Sequence, residues 1–196
     1  YERQVYSQNG EDGIIEEIFN RIGATNHYFV EIGAGDGLQN NTAYLLAKGW
    51  KGHWIEANST SFESLQRTYG FMMESKHLTA EQALVSAENV GPLLEKANVP
   101  EEFDILSIDV DGNDYWIWKA IESFHPRAIV IEYNALYPPT VKWVQKYDVY
   151  RVWDGTSHFG ASLKSLELLG LEKGYRLVAC DFVGVNAFFV RQDLAG

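Results

Sequence analysis

Gly33-Ala34-Gly35-Asp36-Gly37 follows a short apolar run at residues 27–32, the pattern of a strand that feeds a tight glycine turn. Such a turn lets a ligand approach the backbone closely. A helix behind it offers unpaired N–H groups at the carboxyl edge of a sheet, where open α/β folds bind ligands. Glu31 stands two residues before the first glycine. A carboxylate there suits a cationic amine, such as the α-amino group of a methionine moiety, and repels a pyrophosphate. Glu56 closes a second apolar run, where an acid can accept hydrogen bonds from both ribose hydroxyls. Asp109 and Glu132 end two later runs, with Asn134 two residues beyond. On adjacent parallel strands these groups reach one edge, and two acids plus an amide oxygen make a hard-cation site for Mg²⁺ or Mn²⁺. The alternative is that Asp109 and Asp111 only shape the turn and orient substrate hydroxyls. Among the five histidines, His158 is the candidate general base, in a polar, glycine-bounded loop at residues 153–160. His27, His53 and His77 fall at strand starts, the wrong end of a sheet, and His125 follows a helix. Tyr137 and Trp153 are candidates for stacking on a sugar face.

The elements that must position these residues follow from apolar periodicity and turn chemistry. Helices are expected at 11–22, 42–48, 60–69, 90–97, 114–124 and 162–173, the third from a capping box at Thr60-Ser61-Phe62-Glu63. Asn9 is the expected cap of the first helix, with acidic residues in its first turn. Strands are expected at 27–32, 52–56, 77–82, 103–109, 128–133, 175–181 and 186–191. Alternation of strands and helices implies a parallel sheet with right-handed crossovers. The link before the last strand is too short for a crossover, so that strand is antiparallel. Residues 137–160 show no regular pattern and read as a substrate-facing insertion. No repeat or linker divides residues 1–196, which are expected to form one domain, with 1–26 an N-terminal cap and helix.

At this point the sequence resembles a known family. Phe29-Val30-Glu31-Ile32-Gly33-Ala34-Gly35-Asp36-Gly37 is similar to motif I of class I methyltransferases, and Trp54-Ile55-Glu56 to their second motif. Ile108-Asp109-Val110-Asp111-Gly112-Asn113-Asp114 resembles the IDVEGxE segment of the FkbM-type methyltransferases. Gly174-Tyr175-Arg176-Leu177-Val178 and Asn186-Ala187-Phe188-Phe189-Val190 resemble their C-terminal pattern. Asp111 and Asp114 stand where that family usually has glutamates. The resemblance implies a Rossmann-like α/β fold with a mostly parallel seven-stranded sheet, an antiparallel last strand and helices on both faces. It further implies S-adenosyl-L-methionine as cofactor and transfer of a methyl group to a hydroxyl of a sugar, glycan or secondary metabolite. The cofactor contacts it implies are Gln8, Glu31, Gly33, Ala34, Gly35, Asp36, Gly37, Glu56, Ala57, Gln82, Ala83 and Asp109. His158 and Asp109 are then the catalytic candidates, and Asp109, Glu132 and Asn134 the metal ligands.

Two other readings rest on the same residues. Gly33-Ala34-Gly35 could open the GxGxxG fingerprint of an NAD(P)-binding oxidoreductase, although Leu38 fills the sixth position. A catalytically inactive Rossmann-like binding module is the non-enzyme alternative. The clustering of acids at strand ends weighs against it, because like charges repel without a ligand or metal.

Composition bounds the rest. A net charge of −11 without a basic cluster disfavours nucleic acid as partner. No apolar run approaches the roughly 20 residues of a membrane span. Cys180 is the only cysteine, so no intrachain disulfide forms, and a reducing, cytoplasmic location is the expectation. The partner expected is a small-molecule or glycan substrate. Additional domains in a longer chain and a homodimer are both compatible with the sequence.

Overall fold

The computed structural model describes residues 1–151 and 155–196. Seven strands form one sheet: β1 (Tyr28–Ile32), β2 (Lys51–Glu56), β3 (Leu78–Gln82), β4 (Ile105–Ile108), β5 (Ala128–Glu132), β6 (Tyr175–Cys180) and β7 (Asn186–Arg191). Their spatial order is β3-β2-β1-β4-β5-β7-β6. β7 alone runs antiparallel to both of its neighbours, as the short link before it requires. Asp181 shapes that link by accepting the N–H groups of Gly184, Val185 and Asn186.

Period-two alternation along the strands sends successive side chains to opposite faces. Val30, Leu106, Ile129 and Phe189 pack with α4 (Val90–Lys96), α5 (Asp114–Ala120) and α6 (Leu163–Glu172). Phe29, Ile105, Val130 and Phe188 pack on the other face with α1 (Glu11–Ile22), α2 (Ala43–Ala47) and α3 (Ser59–Glu74). The expected α/β architecture with helices on both faces is therefore present.

Several boundaries differ from expectation for local reasons. Gly10, not Asn9, caps α1, in a left-handed conformation with φ 95°. The Asn9 N–H instead donates to Glu11 at 2.8 Å. Asn58, not Thr60, caps α3 by accepting the Ser61 N–H, and that helix runs on to Glu74. α5 ends at Ala120 because Ile121 is extended and the chain must return to pair Ala128 with Ile105.

Among the described residues of 137–160 there is no helix or strand beyond the single bridge Val144↔Ala161. The excursion closes on itself where Gln145 N donates to Gly160 O at 2.9 Å and Ser162 N to Trp143 O at 2.9 Å. No helix among the described residues is long and apolar enough to cross a membrane.

Candidate active site

The carboxyl edge of the sheet begins with the glycine turn. Gly33 N and Ala34 N both donate to Ile55 O, holding the turn against β2. Gly33 has φ 86°, and a Cβ there would overlap the carbonyl oxygen of Asp109. Gly35 has φ 58° and faces open space. The first glycine is thus required by the neighbouring strand, the second by its backbone conformation. Gly37 lies against the Tyr69 ring, whose hydroxyl donates to Gly37 O at 2.7 Å, and lines neither of the two cavities the turn separates.

The larger cavity, about 530 Å³, has Gly35, Glu56, Ala57 and Ala83 in its wall. Gln82, expected beside Ala83, points to solvent from the end of β3 and is not part of that wall. Glu56 accepts the Gly35 N–H at 2.7 Å and the Asn58 N–H at 2.6 Å, one at each oxygen. The smaller cavity, about 130 Å³, is lined by Gln8, Glu31, Ala34 and Asp36 among the expected residues. Gly33, Gly35 and Asp109 border both, so the two are ends of one cleft.

Glu31, read from the sequence as a carboxylate for a cationic amine, is already engaged by the protein's own donors. It is 1% exposed and accepts from Asn40 Nδ2, Asn41 N, Thr42 N and Thr42 Oγ1. Burial raises its carboxyl to about 7, against the pull of these donors. Its first effect is to hold the 40–42 loop ahead of α2.

Gln8 reaches the small cavity because the N-terminal segment folds back over α1. Asp12 Oδ2 accepts the N–H groups of Val5, Tyr6 and Ser7, and Ser7 Oγ accepts the Asp12 N–H. The acidic first turn therefore builds a fold-over rather than only a helix cap.

The strand register explains the acids at the far side. Ile32, Ile108 and Ile131 are aligned partners, and Glu132 pairs with Asn186. One residue beyond the isoleucines, Gly33, Asp109, Glu132 and Asn186 form a row across four strands, and Asp109 N still donates to Ile32 O. Oxygens of Asp109, Glu132 and Asp111 lie within 4.8 Å of one another. Burial first, then the neighbouring acids, raises Asp109 to about 8 and Glu132 to about 10.

Asn134, expected as the third metal ligand, spends its amide on other partners. Its Nδ2 donates to Ser157 O and Phe159 O, and its Oδ1 accepts the Leu136 N–H, so its amide fastens the insertion instead. Asp111 is the acid that stands third beside Asp109 and Glu132. The turn-shaping role falls to Asp114, which accepts Val110 N and Gly112 N and leaves the carboxylates of Asp109 and Asp111 outside that network.

His158 sits between the two carbonyls that Asn134 holds. Its ring is exposed, edge-on to Trp143 at 6.4 Å, and lines neither cavity. Tyr137 stacks on Trp143 with centroids 4.6 Å apart. Trp153 lies outside the described residues. Reasoning from sequence passed over Glu11, Asn186 and Arg151, which also border the cleft. The polar residue that opens β7, directly before the apolar run Ala187–Val190, was the available signal for Asn186.

The fold is that of class I methyltransferases. No family model matches the sequence, and no curated protein matches it closely enough to count as a relative. Solved structures do match. A candidate caffeoyl-CoA O-methyltransferase from Staphylococcus aureus aligns over 97% of this chain and 86% of its own, with 13% identity and a TM-score of 0.60. The N-terminal domain of EvdMO1, solved with SAH bound, aligns over 94% and 81%, with 14% identity and a TM-score of 0.56. A precorrin-6y C5,15-methyltransferase from Geobacter metallireducens aligns over 97% and 92%, with 13% identity and a TM-score of 0.55.

Proposed function

We propose that this protein is an S-adenosylmethionine-dependent methyltransferase of the FkbM type that modifies a hydroxyl, on a sugar, glycan or secondary metabolite. The observation that carries the reading is one cleft with a glycine turn at its centre and three clustered carboxylates at its far side. The larger cavity suits the nucleoside, with Glu56 keeping lone pairs for the ribose hydroxyls beyond its two backbone bonds. The smaller cavity suits the amino-acid end. A dinucleotide is disfavoured because Glu11, Glu31, Asp36 and Asp109 would face its pyrophosphate.

Asp109, Asp111 and Glu132 fit a divalent cation. Glu132 Oε2 is buried without a hydrogen-bond partner, and an all-oxygen donor set is what Mg²⁺ or Mn²⁺ takes. Bound there, such an ion would act as a Lewis acid on an acceptor hydroxyl. The chain's own part is to place and deprotonate that hydroxyl. Asp109 borders both cavities, so where no ion holds its carboxylate it is the better-sited base. His158 is the second candidate, on the loop that Asn134 fastens, and Tyr137 with Trp143 supplies an aromatic face for the acceptor.

The reading is tested by calorimetry with S-adenosylhomocysteine, followed by transfer of labelled methyl to nucleotide sugars and glycans. Absence of binding to the intact chain overturns it.

A further inference from the structure

A separate cavity of about 220 Å³ lies at the amino end of the sheet, opposite the glycine turn. Leu106, Ile129 and Tyr175, each first or second in β4, β5 or β6, line it from the strands. α5 explains why the space is there. Its seven residues reach only about 10 Å, and the chain then passes residues 121–127 without a helix. Trp118 of α5, with Ile121 and Phe124 beyond it, adds to the apolar lining, and none of the three is more than 6% exposed. Tyr175 Oη donates to Pro126 O at 2.8 Å, so its hydroxyl is satisfied and its ring serves as wall.

Charged side chains enter this lining at three positions. Glu122 and His125 are exposed, whereas Lys173 is partly buried and held in place. Its Nζ donates to Ile121 O at 2.6 Å and to Lys119 O at 3.4 Å, where α5 ends. An ammonium has three N–H donors, and these two carbonyls leave one of them for a ligand. Glu122 and Glu172 act on that ammonium only through space, and burial pulls its pKa below the usual lysine range.

We propose that this cavity binds a small aromatic carboxylate, its ring among Trp118, Ile121 and Phe124 and its carboxylate on the Lys173 ammonium. An apolar cavity of about 150 Å³ already takes up benzene, so this one has room for a ring and a short acidic arm. The aromatic walls favour a flat, polarisable occupant. One pinned N–H and one positive charge match a carboxylate. A phosphate would need more donors and would bring a second negative charge past Glu122. The cavity shares no residue with the cleft at the glycine turn, so the inference stands apart from the methyltransferase reading.

The test uses two probes that differ only in the polar end, 3-phenylpropionate and 3-phenylpropan-1-ol. Calorimetry on the full chain is expected to show the acid binding about tenfold more tightly than the alcohol, as one charge-assisted hydrogen bond provides. Lys173→Met keeps the apolar stem and removes the charge, so it should bring the acid down to the level of the alcohol and leave the alcohol unchanged. Ile121→Trp fills the cavity and should abolish binding of both. The comparison of acid with alcohol needs only the unaltered chain, so a folding failure of either variant leaves the inference open to refutation. No binding of the acid, equal affinity for acid and alcohol, or binding that survives unchanged in both variants overturns it.

Discussion

Glu56 Oε2 accepts the Gly35 N–H at 2.7 Å, so the acid that ends β2 also clamps the glycine turn leaving β1. The turn and the ribose-binding candidate are one mechanical unit. Glu56→Ala is therefore expected to weaken S-adenosylhomocysteine by on the order of 1–3 kcal/mol, through lost charged hydrogen bonds. A calorimetric titration checks it, and undiminished affinity removes Glu56 from the site.

Gly33 and Gly35 should fail in different ways. Gly33→Ala pushes a methyl group into the Asp109 carbonyl and is expected to cost about 3 kcal/mol or more of stability. Gly35→Val meets no atoms but must hold φ 58°, a strain of about 1–3 kcal/mol, and its side chain fills the cleft. Thermal melts should show a grossly destabilised Gly33 variant and a folded Gly35 variant that no longer binds the cofactor. Normal binding by Gly35→Val would falsify the cradle.

The acid cluster predicts an unusual pH dependence for the ion-free protein. Asp109 at about 8 and Glu132 at about 10 hold protons that the unfolded chain releases near pH 4. Their contribution to stability is complete below about pH 4 and is lost as pH rises through 8 and 10. The melting temperature should thus fall between pH 5 and pH 9, less steeply in Glu132→Gln. Added Mg²⁺ or Mn²⁺ should flatten the slope, with protons released on binding. An identical slope with and without ion, in both proteins, argues against a metal here. In turnover assays, full activity after complete chelation argues the same.

His158 and Asn134 separate chemistry from loop anchoring. His158→Ala leaves cofactor binding intact, and if the imidazole is the base, turnover falls by about 10²–10⁴-fold. Asn134→Ala frees two carbonyls, at Ser157 and Phe159, and should raise the acceptor KM while leaving S-adenosylhomocysteine affinity unchanged. Unaltered turnover in His158→Ala leaves Asp109 as the base to test next.

The sequence made the strands readable because short apolar runs bounded by turn residues are local signals, and it made the glycine turn readable because turn chemistry is local too. Asp109 and Glu132 could be placed at one edge by strand counting alone. What lay beyond reach depends on contacts made across the fold. The direction of the Asn134 amide is set by carbonyls 23 and 25 residues away. Asp111 joins the cluster only because Asp114, buried beneath the turn, takes the backbone N–H groups itself. Glu31 looked available because nothing in its neighbourhood announces that the 40–42 loop returns to satisfy it. The helix cap at residue 10 was missed because Glu11 draws the Asn9 N–H to itself.

The bond between Glu11 and Asn186 spans 175 positions, from the first helix to the last strand. On a ribosome adding about 5–20 residues per second, Glu11 waits roughly ten to thirty seconds for its partner. Until Asn186 emerges, the small cavity lacks one wall, and no ligand of that cavity can hold the growing chain. A ligand of that cavity can then stabilise the chain, by mass action, only once the last strand has joined the sheet.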